Sequence, residues 1–188
     1  MSHHSRTLFS AIRTASIDSV RSELRRTDLT AESDDNGDTL LHAAIGAYRP
    51  DCVAEVLQHA MRIGEPSLSE ILEARNKNGY TPLHCAVLNN DKVTCNLLLE
   101  AGAQIHSAAV FTQNTSLHLA VGVVRDTVLA AFLSDYALDH LSEAECQTFK
   151  NAKNVDGLTA SDLARSSSHT VAVLRDGRSA NDAKNMHR

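Results

Sequence analysis

The sequence predicts an all-α solenoid of about five helix-pair units, terminal caps included, with β-turn fingers between units and two inserted short helices. Three observations predict it. The phrase Thr81-Pro82-Leu83-His84-Cys85-Ala86 recurs as Thr39-Leu40-Leu41-His42-Ala43-Ala44, as Thr115-Ser116-Leu117-His118-Leu119-Ala120, and in worn form as Thr159-Ala160-Ser161-Asp162-Leu163-Ala164. Gly37, Gly79 and Gly157 each stand two residues before one of these threonines, where a projecting turn needs backbone geometry costly for other residues. Aromatic residues are only 4% of the chain and tryptophan is absent, so the core must come from Leu, Val, Ile and Ala, which suits stacked short helices.

Upstream of the first full phrase, Leu8-Phe9-Ser10-Ala11-Ile12 and Val20-Arg21-Ser22-Glu23-Leu24 are two apolar helical stretches without the Thr-x-Leu-His opening. They read as an N-terminal capping unit over 6–32. Its arginines Arg6, Arg13, Arg21, Arg25 and Arg26 would solvate the outer face that has no neighbour. The marker threonines then follow at intervals of 42, 34 and 44 residues, so one unit is standard and two carry insertions. This gives units over 35–75, 76–108, 109–152 and 153–176.

In each unit the Thr39, Thr81, Thr115 or Thr159 hydroxyl caps a helix, and Pro82 sits where no backbone donor is needed. In the standard unit, Asp91 to Glu100 supplies the second helix through Val93, Leu97, Leu98 and Leu99. Both insertions contain a capping-box pattern, Ser67-Leu68-Ser69-Glu70 and Ser142-Glu143-Ala144-Glu145, so each should hold an extra short helix. In the finger before Thr115, Gln113 takes the glycine position, with Asn114 beside it as the residue best able to tolerate left-handed backbone. The last unit replaces the His by Asp162 and should finish with a second short helix at Val171-Ala172-Val173-Leu174. A disordered tail is expected over 177–188.

The stretch Asn78-Gly79-Tyr80-Thr81-Pro82-Leu83-His84, with a second helix closed by Ala101-Gly102-Ala103, resembles the ankyrin-repeat family, and the domain expected over 6–176 follows its unit plan. Within that family, the order long, standard, long resembles the IκB-type inhibitors of Rel transcription factors, as does the opening Asn36-Gly37-Asp38-Thr39-Leu40-Leu41-His42-Ala43-Ala44-Ile45. The narrower resemblance implies a stoichiometric inhibitor or cofactor holding a Rel-type dimer through its stacked repeats. Residues 1–30 lack the paired-serine Asp-Ser-Gly motif by which such inhibitors are degraded, so the expectation is a minimal, constitutive or divergent inhibitor rather than a regulated one.

Charge and cysteine usage narrow the function classes. The net charge of −5 is uneven: residues 1–30 carry net +2 and residues 31–75 net −6. Neither stretch offers the basic face that direct nucleic-acid binding requires. Cys52, Cys85, Cys95 and Cys146 form neither C-x-x-C pairs nor a secreted scaffold, so a reducing compartment, cytoplasm or nucleus, is expected. No apolar run approaches the ~20 residues of a membrane span.

No catalytic or cofactor constellation is legible. His42, His84 and His118 recur at one repeat position, which favours a structural bond beside the capping Thr over a metal array. Cys85 and Cys95 read as packing cysteines rather than nucleophiles, and no phosphate loop or HExxH is present. The expectation is therefore a non-enzymatic adaptor or inhibitor, monomeric alone, that binds a folded protein. The candidate contacts are Tyr48, Tyr80, Asn89, Asn90, Phe111, Gln113, Asn114, Val123 and Arg125, assigned to a concave surface of finger tips and first helices. The competing expectation is a targeting subunit or effector fragment that delivers an enzyme to a protein substrate.

Overall fold

At Thr39, Thr81, Thr115 and Thr159 the backbone is extended, with φ between −76° and −84°, and a helix begins at the next residue. All four close a capping box with the residue three positions on: the threonine side chain meets that residue's amide, and its side chain returns to the threonine amide. Asp162 performs this task as well as the histidines do, its Oδ2 accepting from Thr159 N at 3.0 Å. A cap is worth about 1 kcal/mol, enough to fix where a helix begins even when the helix is a turn or two long.

The computed structural model describes residues 3–14, 16–25, 33–64 and 67–164. Among them are α1 (His3–Thr14), α2 (Ile17–Leu24), α3 (Leu40–Gly46), α4 (Pro50–Ile63), α5 (Ser67–Glu73), α6 (Pro82–Leu88) and α7 (Lys92–Glu100). There follow α8 (Ser116–Leu119), running into a π-helical turn over Ala120–Val124, then α9 (Thr127–His140), α10 (Glu143–Asn151) and α11 (Ala160–Leu163). The described residues contain no strand beyond one isolated antiparallel bridge between Ala108 and Thr115. The expected second helix at 171–174 and the tail at 177–188 lie outside the described residues.

The chain divides into two compact units, Met1–Gln104 and Ile105–Arg188. In the first, α1 packs on α3 and α3 on α6, while α2 packs on α4 and α4 on α7. First helices thus form one layer and second helices another. The α3 helix is buried along Leu40–Ile45 without a polar face, because it is covered by α1, α4 and α6. Seven residues would not hold a helix alone in water, so its stability is tertiary. In the second unit the π turn packs on α9 and α11, and α10 bridges α9 and α11.

Both insertions follow one plan. The second helix of each long unit has 14 residues, against nine in α7, and an extra short helix follows, α5 or α10. The Ser142–Glu145 box opens α10 as expected, with Ser142 N donating to Glu145 Oε2 at 3.0 Å. At the other insertion, α5 already includes Ser67, and the residues just before it lie outside the described residues.

Three expectations are corrected. Val93 is not a core residue of the second helix but 63% exposed; Thr94, Cys95, Leu98 and Leu99 form the buried face, with Thr94 turned inward by its 2.6 Å bond to Asp91. Left-handed backbone falls on Gln113 itself (φ 55°), not on Asn114. Arg13 and Arg21 do not merely solvate an outer face: Arg13 pairs at 3.1 Å with Asp34, at the start of the next finger, and Arg21 at 2.6 Å with Glu55 on α4. Arg26 lies outside the described residues.

Candidate interaction surface

Three of the four fingers share one construction. Asp34, Asn76 and Asn154 each turn a side-chain oxygen back to accept two amides of their own loop: Asn36 and Asp38, Asn78 and Tyr80, Asp156 and Leu158. Each loop also closes three residues on, the amides of Gly37, Gly79 and Gly157 donating to the carbonyls of Asp34, Asn76 and Asn154. Gly37 is required twice over. Its φ is +72°, and a Cβ there would lie 3.0 Å from the backbone nitrogen of Lys77 in the next finger.

Consecutive fingers are stitched by the same three bonds in each compact unit. In the first, Lys77 N donates to Asn36 O at 2.9 Å, Asn76 Nδ2 to Asp38 Oδ1 at 2.9 Å, and His42 Nε2 to Tyr80 O at 3.0 Å. In the second, Val155 N donates to Thr112 O at 2.9 Å, Asn154 Nδ2 to Asn114 Oδ1 at 3.1 Å, and His118 Nε2 to Leu158 O at 3.1 Å. The histidine tautomer follows from the partners. A carbonyl only accepts, so Nε2 bears the proton, and Nδ1 accepts from the threonine amide. Burial lowers the pKa of His42 and of His118, outweighing the carbonyl contacts that favour the charged form.

The finger over 109–114 is built differently. Ala109 stands where the other fingers have Asp or Asn, and the turn closes four residues on, Gln113 N to Ala109 O at 2.9 Å. The loop thus holds one residue more than the others. Gln113 fills the left-handed position and its Nε2 donates to Val110 O at 3.0 Å, which ties the wider turn to itself. Phe111 projects from it 67% exposed, beside the exposed Val110.

Tyr80 and Asn114 lie in fingers, and Val123 lies on the π turn that continues a first helix; Tyr48, Asn89, Asn90 and Arg125 instead belong to the turns joining first to second helices, a correction to their assignment on finger tips and first helices. Tyr48, Asn90 and Arg125 occupy equivalent left-handed positions, with φ of 55°, 55° and 58°. Tyr48 is 65% exposed there, a bulky side chain in backbone that costs ~1–2 kcal/mol. Asn89 is half-buried and its Nδ2 donates to Ile45 O at 3.0 Å, so it ties one repeat to the next. Tyr80 is half-buried, its carbonyl taken by His42, and Asn114 is half-buried against Asn154. Val123 is 59% exposed on the π turn, next to the exposed Arg125 turn. Tyr48, Tyr80, Asn89 and Asn90 belong to the first compact unit, the other candidates to the second.

Two features escaped sequence reasoning. The π turn had a readable signal: Thr81 and Asp91 are ten residues apart, whereas Thr115 and Asp126 are eleven apart, one residue too many for the same helix. The other, a cleft of about 460 Å³ between α1 and the finger at 34–36, had none; its lining includes Arg6, Phe9, Arg13 and Asp34, which only folding brings together.

Among the described residues no cluster of three His, Cys, Asp or Glu side chains could hold a metal ion. Burial pushes the thiols of Cys85 and Cys95 up to about 12, so neither is a thiolate near neutral pH. No described helix is long and apolar enough to cross a membrane.

A family model for ankyrin repeats in three copies matches residues 8–109. Among curated proteins, the chain is similar to the nuclear factor NF-kappa-B p105 subunit of Rattus norvegicus, at 31% identity over 137 residues, 72% of this chain. The Gallus gallus p105 subunit is 33% identical over 105 residues, 56% of this chain. NF-kappa-B inhibitor delta of Mus musculus is 28% identical over 141 residues, 64% of this chain. The aligned regions span only 13% and 10% of the two p105 proteins and 39% of the inhibitor.

Proposed function

We propose that this chain, which belongs to the ankyrin-repeat family, is a non-enzymatic inhibitor or cofactor that holds a Rel-type transcription factor in the cytoplasm or nucleus. The family supplies the coarser statement, protein binding through repeats. The finer one rests on similarity to two proteins whose names carry NF-kappa-B and one named as its inhibitor. The fingers and the helix–helix turns are the contact elements in this reading.

The observation that carries it is Phe111. An exposed aromatic ring stands on a loop that has one residue more than its equivalents, yet whose amides at Ala109, Gln113 and Asn114 are all bonded within the loop. The ring is displayed without being used internally, and the backbone beneath it is already ordered. Such an anchor loses little freedom on binding, the property of an interface hot spot.

Direct binding of the purified chain to a Rel-homology dimer tests the reading, with Phe111→Ala and Tyr48→Ala compared against the parent chain. Each truncation at a hot spot should cost about 2 kcal/mol, near thirtyfold in Kd. Absence of binding to any Rel-type dimer removes the named partner. Unchanged binding by both folded variants moves the interface elsewhere.

A further inference from the structure

The second-helix layer of the first compact unit carries a charged groove that the finger-based reading does not use. It lies between α2 and α4, encloses about 440 Å³, and is lined by Arg21, Arg25, Arg62, Gln58, Leu24, Met61 and Glu55. Three guanidinium groups face one carboxylate in a chain whose net charge is −5, a local inversion of sign. Arg21 is committed: it bonds the largely buried Glu55 at 2.6 Å and Asp18 at 3.2 Å. Among the described residues, Arg25 and Arg62 are bonded to no carboxylate; Arg62 Nε rests on its own helix at Gln58 O. His59, on the same helix as Arg62, has its pKa lowered by burial and then by Arg62 and Arg25, so both positive charges act on one neighbourhood.

We propose that this groove binds an acidic peptide segment of a partner protein, Arg25 and Arg62 each taking a carboxylate and Met61 packing an apolar side chain between them. Charge complementarity selects the occupant. Two guanidinium groups bonded to no carboxylate among the described residues offer donors in the fork geometry that fits carboxylates. Glu55 in the lining disfavours a phosphate dianion more than a single carboxylate, and the overall negative charge opposes an extended polyanion such as RNA. Met61, half in solvent, and Leu24 beside it supply an apolar wall that pure charge recognition would not need. The site lies on the layer of α2 and α4, so its failure would leave the proposal for the fingers and turns untouched.

The test is selection of peptides from a displayed 12-residue library on the full chain, with counter-selection on the double variant Arg25→Ala, Arg62→Ala. Both side chains are exposed, so the variant should fold, and circular dichroism checks that it does. Selected peptides should carry two acids flanking an apolar residue. They should bind the double variant roughly tenfold or more weakly and lose affinity with added salt, while Lys153→Ala, a cation elsewhere, binds as the parent does. Charge reversal, Arg25→Glu with Arg62→Glu, should recover binding when the peptide acids become lysines. The proposal is overturned if selection yields nothing, if the enriched peptides lack acids, or if replacing their acids by Gln and Asn leaves affinity unchanged. It is equally overturned if a phosphoserine peptide or a single-stranded RNA binds through the same arginines more tightly than the selected peptides do.

Discussion

The backbone amide of Asp126 bonds to the carbonyl of Ala120 at 3.1 Å, spanning six residues, where the equivalent Arg49–Ala44 and Asp91–Ala86 bonds span five. The anchor alanine and the start of the second helix are kept, and the extra residue is absorbed by the π turn over Ala120–Val124. Deleting the exposed Val123 should therefore restore a regular helix and change stability by no more than about 1 kcal/mol, measured by urea unfolding. A loss of several kcal/mol would mean that the π turn is needed for packing on α11.

Removing the imidazole of His118 cuts both the helix cap and the stitch to Leu158. His118→Ala should cost about 2 kcal/mol or more. Because Asp162 caps its own helix in the same geometry, His118→Asp should recover the cap, about 1 kcal/mol, but not the stitch. Chemical denaturation of the two variants separates these contributions.

Stability should fall with acid before the carboxylates titrate. The folded pKa values of His42, His59 and His118 are lowered, chiefly by burial, so the unfolded chain binds their protons more tightly. Their contribution is complete above the unfolded value of about 6.5 and is lost as pH falls from there through the folded values. Asp51 and Glu55 are also lowered, Arg49 and Arg21 being the main causes, but their contribution is lost only below about pH 4. Unfolding free energies at pH 7.5, 6.5 and 5.5 should decline in that order, and His42→Asn should flatten the slope.

Tyr48 should trade stability for exposure. Replacing it by Gly relieves left-handed backbone at φ 55° and should stabilise the fold by about 1 kcal/mol in thermal or urea melts. If Tyr48 contacts a partner, the same change weakens binding while the melting temperature rises.

Cys85 and Cys95 should resist alkylation at pH 7.5 in the native chain and react at ordinary thiol rates in denaturant, since burial holds both near 12. Mass-resolved iodoacetamide labelling over time reads this directly. Rapid native labelling of Cys85 would show that its surroundings open.

The features readable from sequence are those made by residues close along the chain. A threonine and its partner three residues later form a capping box whatever lies around them, so all four helix starts were legible, including the one where His becomes Asp. The glycine two residues before the threonine marked three of the fingers for the same reason. The exposure of Val93 is not legible, because an apolar residue in a short helix carries no record of which face a neighbour will cover. The left-handed place of Gln113 is hidden in the sequence because intrinsic tolerance of left-handed backbone favours Asn114, while the turn's own register puts the position on Gln113.

By itself, then, the sequence determined the repeat, its unit spacing and where helices begin, since these depend on bonds within a few residues. Folding decided that His42 reaches Tyr80 across 38 positions, that Arg21 meets Glu55, and that Phe111 stands in solvent while Asn89 and Asn114 are spent holding repeats together. The reason is physical: exposure and charge pairing are properties of what packs alongside, and in stacked repeats many of those neighbours come from another repeat, far away in sequence.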